Sequence, residues 1–314
     1  MEQSWPTDLK NLQKLIWVKN PEKVYFYSTP VEALMTWAKV KNISENDVVG
    51  VIAPYPEIFE KAAQALKIKL IEIPRDPEQI VSLNLNQFKA VWLSNPNICD
   101  GFFYPKELFD LLLDFFKTQN DLQILCEEST RYFYENSESD LVGSLEKHLD
   151  NERFTLMSGT YAFSNEELSW LIQSSSQLEQ IEIPNFEGEK QHRLFSLHGG
   201  RQMSYVYKQL WVQEHKLGRF VEKLRPLFNS KLVSMPHWPF KLALNLVIDI
   251  SPYLKNQNLD YSSWWNNLED SKKKFLSMLP SQARHNYLQV SLRGTYRESM
   301  ALADRLNDIF LHNK

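Results

Sequence analysis

Two acidic side chains stand next to each other in Leu125-Cys126-Glu127-Glu128-Ser129-Thr130, at the end of an apolar run. Paired carboxylates can divide acid and base roles in proton transfer. Adjacent residues of a strand point to opposite faces, however, so at most one of Glu127 and Glu128 can reach a given pocket, and a single solvated carboxylate is the plainer reading. The seven histidines, His148, His192, His198, His215, His237, His285 and His312, include no pair at i, i+4 with a carboxylate partner. The spacing that puts two imidazoles on one helical face for a metal is therefore missing. His198-Gly199-Gly200-Arg201 is the one local arrangement suited to an anion, because two glycines ahead of a helix let backbone N–H groups approach a ligand. The same residues also make an ordinary turn. Trp264-Trp265 and Pro236-His237-Trp238-Pro239 could form a binding face, although such clusters in a tryptophan-rich chain are commonly core or subunit interface.

The elements that must position these residues alternate along the first part of the chain. Residues 9–19 read as an amphipathic helix, Val24-Tyr25-Phe26-Tyr27 as a strand, and residues 30–41 as a helix with Pro30 in its first turn and Ser28 or Thr29 as its cap. Asp47 to Ala53 is a buried strand, 57–68 a helix, and Lys69 to Pro74 a strand. Strands at 90–93, 123–126 and 153–157, with a helix over 105–118, continue the pattern. This is the sequence form of βαβ units, which predicts a mainly parallel sheet covered on both faces, with ligands at the carboxyl ends of its strands. After about residue 200 the character changes to a long helix over 201–228, an apolar run at 242–250, a polar helical stretch, a strand at 287–292 and a terminal helix over 297–312. The predicted organisation is a large α/β domain over 1–200 and a smaller α+β domain over 201–314.

Composition narrows the function classes. The 314 residues, 43% hydrophobic, can bury a sizeable core. Thirty-five Lys plus Arg against 39 Asp plus Glu give a net charge of -4, scattered along the chain, so nucleic acid is not an expected partner. No segment approaches ~20 uninterrupted apolar residues, and Met1 to Pro6 shows no signal-peptide pattern, so no membrane and a cytoplasmic location are expected. Cys99 and Cys126 are too few for a disulfide framework and read as reduced thiols. Only 9 residues are glycine, which leaves little material for Gly-rich phosphate cradles.

Five loops, in order and at suitable spacing, carry a resemblance. Ser94-Asn95-Pro96-Asn97-Ile98-Cys99-Asp100-Gly101 is similar to an Asn-Pro-Asn-Asn-Pro-Thr-Gly loop, and Cys126-Glu127-Glu128-Ser129-Thr130-Arg131-Tyr132-Phe133 to an Asp-Glu-x-Tyr-x-x-Phe strand end. Ser158-Gly159-Thr160-Tyr161-Ala162-Phe163 is similar to Ser-x-Ser-Lys-x-Phe, Pro54 to Phe59 to a Pro-x-x-x-x-Tyr loop, and Leu288 to Gly294 to a C-terminal Arg-containing strand. Together, from about residue 9 to 310, they resemble the class I and II, fold-type I pyridoxal-phosphate aminotransferases, particularly the histidinol-phosphate aminotransferase branch. The resemblance implies a fold-type I α/β architecture, a homodimer with its site across a two-fold interface, and a pocket near Ser28, Thr29, Tyr55, Asn97, Glu127, Thr130 and Tyr161. It also implies that the chain starts too late to supply the family's N-terminal arm.

The departures from the family set the functional expectation. In that family the cofactor aldehyde condenses with a lysine ε-amine, and Tyr161 stands at that position, where a phenol cannot form an imine. No lysine occurs from His148 to Glu189; Lys190 is the next. Ile98 replaces the Asn beside the pyridine hydroxyl, and Thr130 the Tyr beside the same oxygen. Ser169 replaces the Arg on the cofactor phosphate, and Gln289 the Arg that would grip a substrate carboxylate. Glu127 replaces the Asp at the ring nitrogen and keeps its carboxylate. The expectation is a catalytically degenerate, aminotransferase-like scaffold, with no cofactor, that binds a protein partner or a small amino-acid-like ligand. The alternative is an active enzyme that uses pyridoxal phosphate through Lys190 or another lysine, or that works through Tyr161 and Glu127.

Overall fold

Short β-branched runs, too apolar to leave one face in water, become the strands of a covered sheet. The computed structural model describes residues 24–119, 121–130, 142–159, 169–173, 203–235, 245–279, 286–292 and 294–312. Residues 9–19, 198–201 and 236–239, together with Tyr161 and Lys190, lie outside them. Seven strands, β1 (Val24–Tyr27), β2 (Val48–Ile52), β3 (Lys69–Ile73), β4 (Ala90–Ser94), β5 (Gln123–Glu127), β6 (Phe154–Gly159) and β7 (Ser169–Ile172), form one sheet in the order β1-β7-β6-β5-β4-β2-β3. The expected parallel character holds for all but β7, which runs antiparallel to both β6 and β1. Sequence periodicity did not anticipate β7, a four-residue strand too short to carry a pattern.

Helices cover both faces. On one, α1 (Pro30–Val40) and α2 (Glu57–Leu66) bury Ala33, Leu34, Trp37, Phe59 and Ala62 against Val51, Trp92, Leu125 and Met157 of the strands. On the other, α3 (Pro77–Val81) and α4 (Lys106–Lys117) bury Ile80, Phe109, Leu112 and Phe116 against Val91, Ile124 and Phe154. As the sequence predicts, α1 begins with Pro30 and is capped by the Thr29 hydroxyl, which accepts from Glu32 N at 3.1 Å. The first face centres on Trp37, Phe59 and Trp92, with ring centroids 6.3 Å apart for Trp37–Trp92 and 5.3 Å for Phe59–Trp92. Trp37 is fully buried, so its indole N–H needs an acceptor, and it finds Thr155 Oγ1 of β6 at 2.8 Å.

Beyond the large sheet, α5 (Met203–Lys223) and α6 (Arg225–Asn229) replace the single long helix expected over 201–228; Pro226 lies in the first turn of the new helix, where its missing N–H costs nothing. The apolar run at 242–250 narrows to β8 (Asn245–Asp249), which joins β9 (Leu276–Met278) and β10 (Tyr287–Ser291) in an antiparallel sheet of order β8-β10-β9. The polar stretch between them is three short helices, α7 (Ser251–Gln257), α8 (Tyr261–Asn267) and α9 (Asp270–Lys273). The last helix, α10 (Tyr296–Asn307), starts with a Thr295/Glu298 capping box and ends in a π turn over Asp308–His312. Alternation sorts this sheet too: Leu246, Ile248, Leu288 and Val290 face Phe220, Leu302 and Leu306, while Val247 and Tyr287 join the core of the large sheet. Among the described residues no helix is long and apolar enough to cross a membrane.

Replacing Thr155 by Val keeps the shape but strands the Trp37 indole N–H. The expected outcome is a loss of about 1–3 kcal/mol, read as a lower urea midpoint at unchanged slope.

Candidate functional site

All six parallel strands of the large sheet end at one edge, and the loops that follow them meet there. Glu127, the last residue of β5, is fully buried. One carboxylate oxygen accepts from the Ser94 hydroxyl at 2.6 Å and the other from Ser129 N at 2.7 Å. Glu128 turns to the other side, where its oxygens accept from the Ser144 hydroxyl at 2.8 Å and Leu145 N at 2.7 Å. The two carboxylates are thus separated by strand alternation as expected, and both are buried and hydrogen-bonded rather than solvated.

The loop after β4 is stitched to its neighbours by its own asparagines. Asn95 donates from Nδ2 to Gly143 O at 2.7 Å and accepts at Oδ1 from Tyr104 N at 2.8 Å. Asn97 donates from Nδ2 to Pro54 O at 2.7 Å, which ties it to the loop that carries Tyr55, and accepts from Cys99 N at 2.8 Å. The Thr130 hydroxyl donates to Pro96 O at 3.0 Å. Ile98 N donates to Ser94 Oγ at 3.2 Å, the same hydroxyl that serves Glu127, and Ile98 O accepts from Asn245 Nδ2 of the second sheet at 2.8 Å. Asn97, Glu127, Thr130 and Tyr55 are therefore brought together.

Ser28 and Thr29 end β1 at the same edge, but they are occupied locally. Thr29 caps α1, and Ser28 N donates to the Glu32 carboxylate at 3.2 Å, which puts a negative charge where an anion would sit. Burial pushes the Tyr55 hydroxyl up to about 12, with Glu60 and Glu72 adding to the effect, so it stands as a neutral phenol. Ser169 is fully buried at the start of β7, and its partner in register is Gly159, two residues on from Met157, which pairs with Glu127. Ser169 and Glu127 accordingly share a face of the sheet. The hydroxyls of Ser129 and Ser169 have no hydrogen-bond partner among the described residues; neither has Ser158, which pairs with Trp170 and lies on the opposite face. Gln289 of β10 accepts from the Ser277 hydroxyl of β9 at 3.1 Å.

The arrangement offers a buried carboxylate and two hydroxyls able to donate, with the buried, apolar Ile98 beside them in the loop after β4. Sequence reasoning missed Ser94 and Ser129, the partners of Glu127, and Asn245. Their only signal was position: a small hydroxyl at a strand end and an amide at the start of a strand.

No known protein family's profile matches this sequence, and no curated protein does. Solved structures match in shape. Cystalysin from Treponema denticola, which contains pyridoxal 5'-phosphate, superposes with a TM-score of 0.75 at 13% identity over 98% of this chain and 82% of its own. Histidinol-phosphate aminotransferase from Sinorhizobium meliloti, in complex with pyridoxal-5'-phosphate, gives 0.73 at 12% identity over 98% and 82%. A decarboxylase from Sulfurospirillum multivorans gives 0.74 at 15% identity over 98% and 78%. The chain has the fold of the fold-type I pyridoxal-phosphate-dependent aminotransferases. These structures correct the expectation that the fold stands here without a cofactor, since proteins that share it along nearly the whole chain hold pyridoxal phosphate. The physical reason is that polar groups remain at this edge although the covalent anchor and several others are replaced: the buried Glu127 carboxylate and the buried Ser129 and Ser169 hydroxyls.

Two outcomes are expected. Glu127→Leu strands the Ser129 N–H and leaves the Ser94 hydroxyl only its 3.3 Å contact to Pro96 O, and should cost about 1–3 kcal/mol in urea unfolding; Glu127→Gln, which keeps an acceptor for Ser129 N–H, should cost less than half as much. Unfolded phenols lose their protons near pH 10, whereas folded Tyr55 holds its proton to about 12. Its contribution to stability is therefore fully present below about pH 10 and is lost as pH rises through about 12. Buried Tyr27, Tyr104 and Tyr261, also pushed up by desolvation, act in the same direction. The part of the tyrosinate absorbance that comes from these four buried phenols should rise together with the loss of ellipticity, not ahead of it.

Proposed function

We propose that this protein is an aminotransferase-like scaffold that holds pyridoxal phosphate at the carboxyl edge of its large sheet and has lost transamination. When bound, that group supplies an electrophilic aldehyde on an electron-withdrawing ring. Glu127 is the carboxylate for the ring nitrogen, Ser169 and Ser129 are the donors for the phosphate, and Ile98 offers the ring an apolar surface. The observation that supports binding is the pair of buried Ser129 and Ser169 hydroxyls without a partner among the described residues. A buried hydroxyl without a hydrogen bond costs about 1–3 kcal/mol, and a ligand oxygen that accepts from it would remove that cost. The donor set therefore fits a phosphorylated ring.

The loss of turnover rests on Tyr161, which stands at the family's lysine position in the resemblance and has no primary amine to offer. The neutral residues Ser169 and Gln289, where the family has arginines, weaken the grip on phosphate and on a substrate carboxylate. The cleft then serves to bind the cofactor together with a small amino-acid-like ligand or a protein partner. A homodimer, a cytoplasmic location and a division into units over 1–200 and 201–314 belong to the same reading.

Incubating the purified protein with pyridoxal phosphate tests it. Binding that shifts the cofactor's absorbance, leaves no adduct after borohydride and gives no turnover with a panel of amino donors is expected. A reduced adduct mapped to Lys190 or another lysine, with amino transfer, would establish an active enzyme instead, and absence of any binding at millimolar cofactor would remove the binding claim. Tyr161→Lys alone should not restore turnover, because Ile98, Ser169 and Gln289 still differ.

A further inference from the structure

Arg75 follows the end of β3, and Asp100 lies in the loop after β4, yet β2 stands between those strands. The Arg75 side chain has to cross the end of β2 to reach its partner, and on the way Nη2 donates to Ala53 O, just past β2, at 3.1 Å. It then lies 2.9 Å from Asp100 Oδ2, an ion pair whose alignment falls short of a good hydrogen bond. The guanidinium stacks 4.3 Å over the Phe102 ring, Phe102 N donates to the second Asp100 oxygen at 3.0 Å, and the Tyr104 hydroxyl donates back to Arg75 O at 2.6 Å. One side chain thereby ties together the loops of three neighbouring strands.

We infer that Arg75 and Asp100 form a latch that positions the candidate cleft. This inference rests on the proposed binding of pyridoxal phosphate for its ligand readout. Asp100 comes two residues after Ile98, whose N–H meets the Ser94 hydroxyl that serves Glu127 and whose carbonyl meets Asn245 of the second sheet. Where the latch holds Asp100 therefore decides where the Glu127 partner and the seam between the two sheets stand. Asp100 is almost fully buried against Arg75, so the charge of Arg75 is neutralised and its role is positioning rather than contact with an anionic ligand. The site needs arginine in particular. Both polar contacts come from one nitrogen, Nη2, which a lysine ammonium could replace, but a lysine has no planar guanidinium to lie over the Phe102 ring at the same time.

Cys99, buried inside the latched loop, and Cys126, buried in β5, are reduced thiols that make the latch readable without any ligand. In the parent protein both should react slowly with an aromatic disulfide reagent. In Arg75→Met and Asp100→Asn, Cys99 should react at least about tenfold faster while Cys126, located by peptide mass mapping, stays slow, with Arg75→Lys between them. Pyridoxal-phosphate affinity should fall about tenfold in the same variants, since the binding-competent arrangement is less populated. An unchanged Cys99 rate in folded variants, or Cys99 and Cys126 speeding up together, would overturn the latch. Should the Met or Asn variant fail to fold by urea titration, Arg75→Lys decides by the same two rates. If the parent binds no pyridoxal phosphate, the functional reading fails while the thiol rates still judge the latch.

Discussion

A carboxylate with no exposed surface survives in a protein only if its oxygens are given donors, and Glu127 receives two, the Ser94 hydroxyl and the Ser129 amide. The first joins the ends of β4 and β5, and the second fixes the turn that follows β5. Through Ser94 they reach Ile98, and through Ile98 the second sheet. The requirement to satisfy one buried carboxylate thus propagates into the conformation of the loop that follows β4. Asn95, Asn97 and Thr130 repeat the solution on a smaller scale, each spending its side chain on the backbone of a neighbouring loop.

This mode of construction bears on function. Loops held by one another are already shaped before anything binds, and apart from Glu127 most of the bonds that shape them here are made by side chains to the backbone of neighbouring loops. Replacement of ligand-facing residues can therefore go far before the scaffold notices. The solved structures that share this fold include an aminotransferase, cystalysin and a decarboxylase. The scaffold accordingly leaves the reaction open, and the side chains that face the ligand settle it.

How much of this could be read along the chain depends on range. The alternation of apolar runs with helical periods marked seven of the ten strands among the described residues and showed β8 only as an apolar run; β7 and β9, of four and three residues, are too short to show a period. Thr29 and Pro30 announced the start of α1, and strand alternation separated Glu127 from Glu128, because capping and pleating are properties of neighbouring residues. The ordered loops also indicated the fold, since their sequence follows the strand ends of a parallel sheet.

What only the tertiary structure decided was where the polar side chains turn. Asn97 could have faced a ligand and instead faces Pro54; Thr29 could have met an anion and instead caps a helix beside Glu32. The reversal of β7, the crossing of Arg75 over β2 and the bond between Ile98 and Asn245, 147 residues apart, belong to the same class. Local pattern sets the period of an element and therefore which face a residue occupies. The partner on that face is chosen by the packing of distant segments, and nothing in the neighbouring sequence encodes the distance between them.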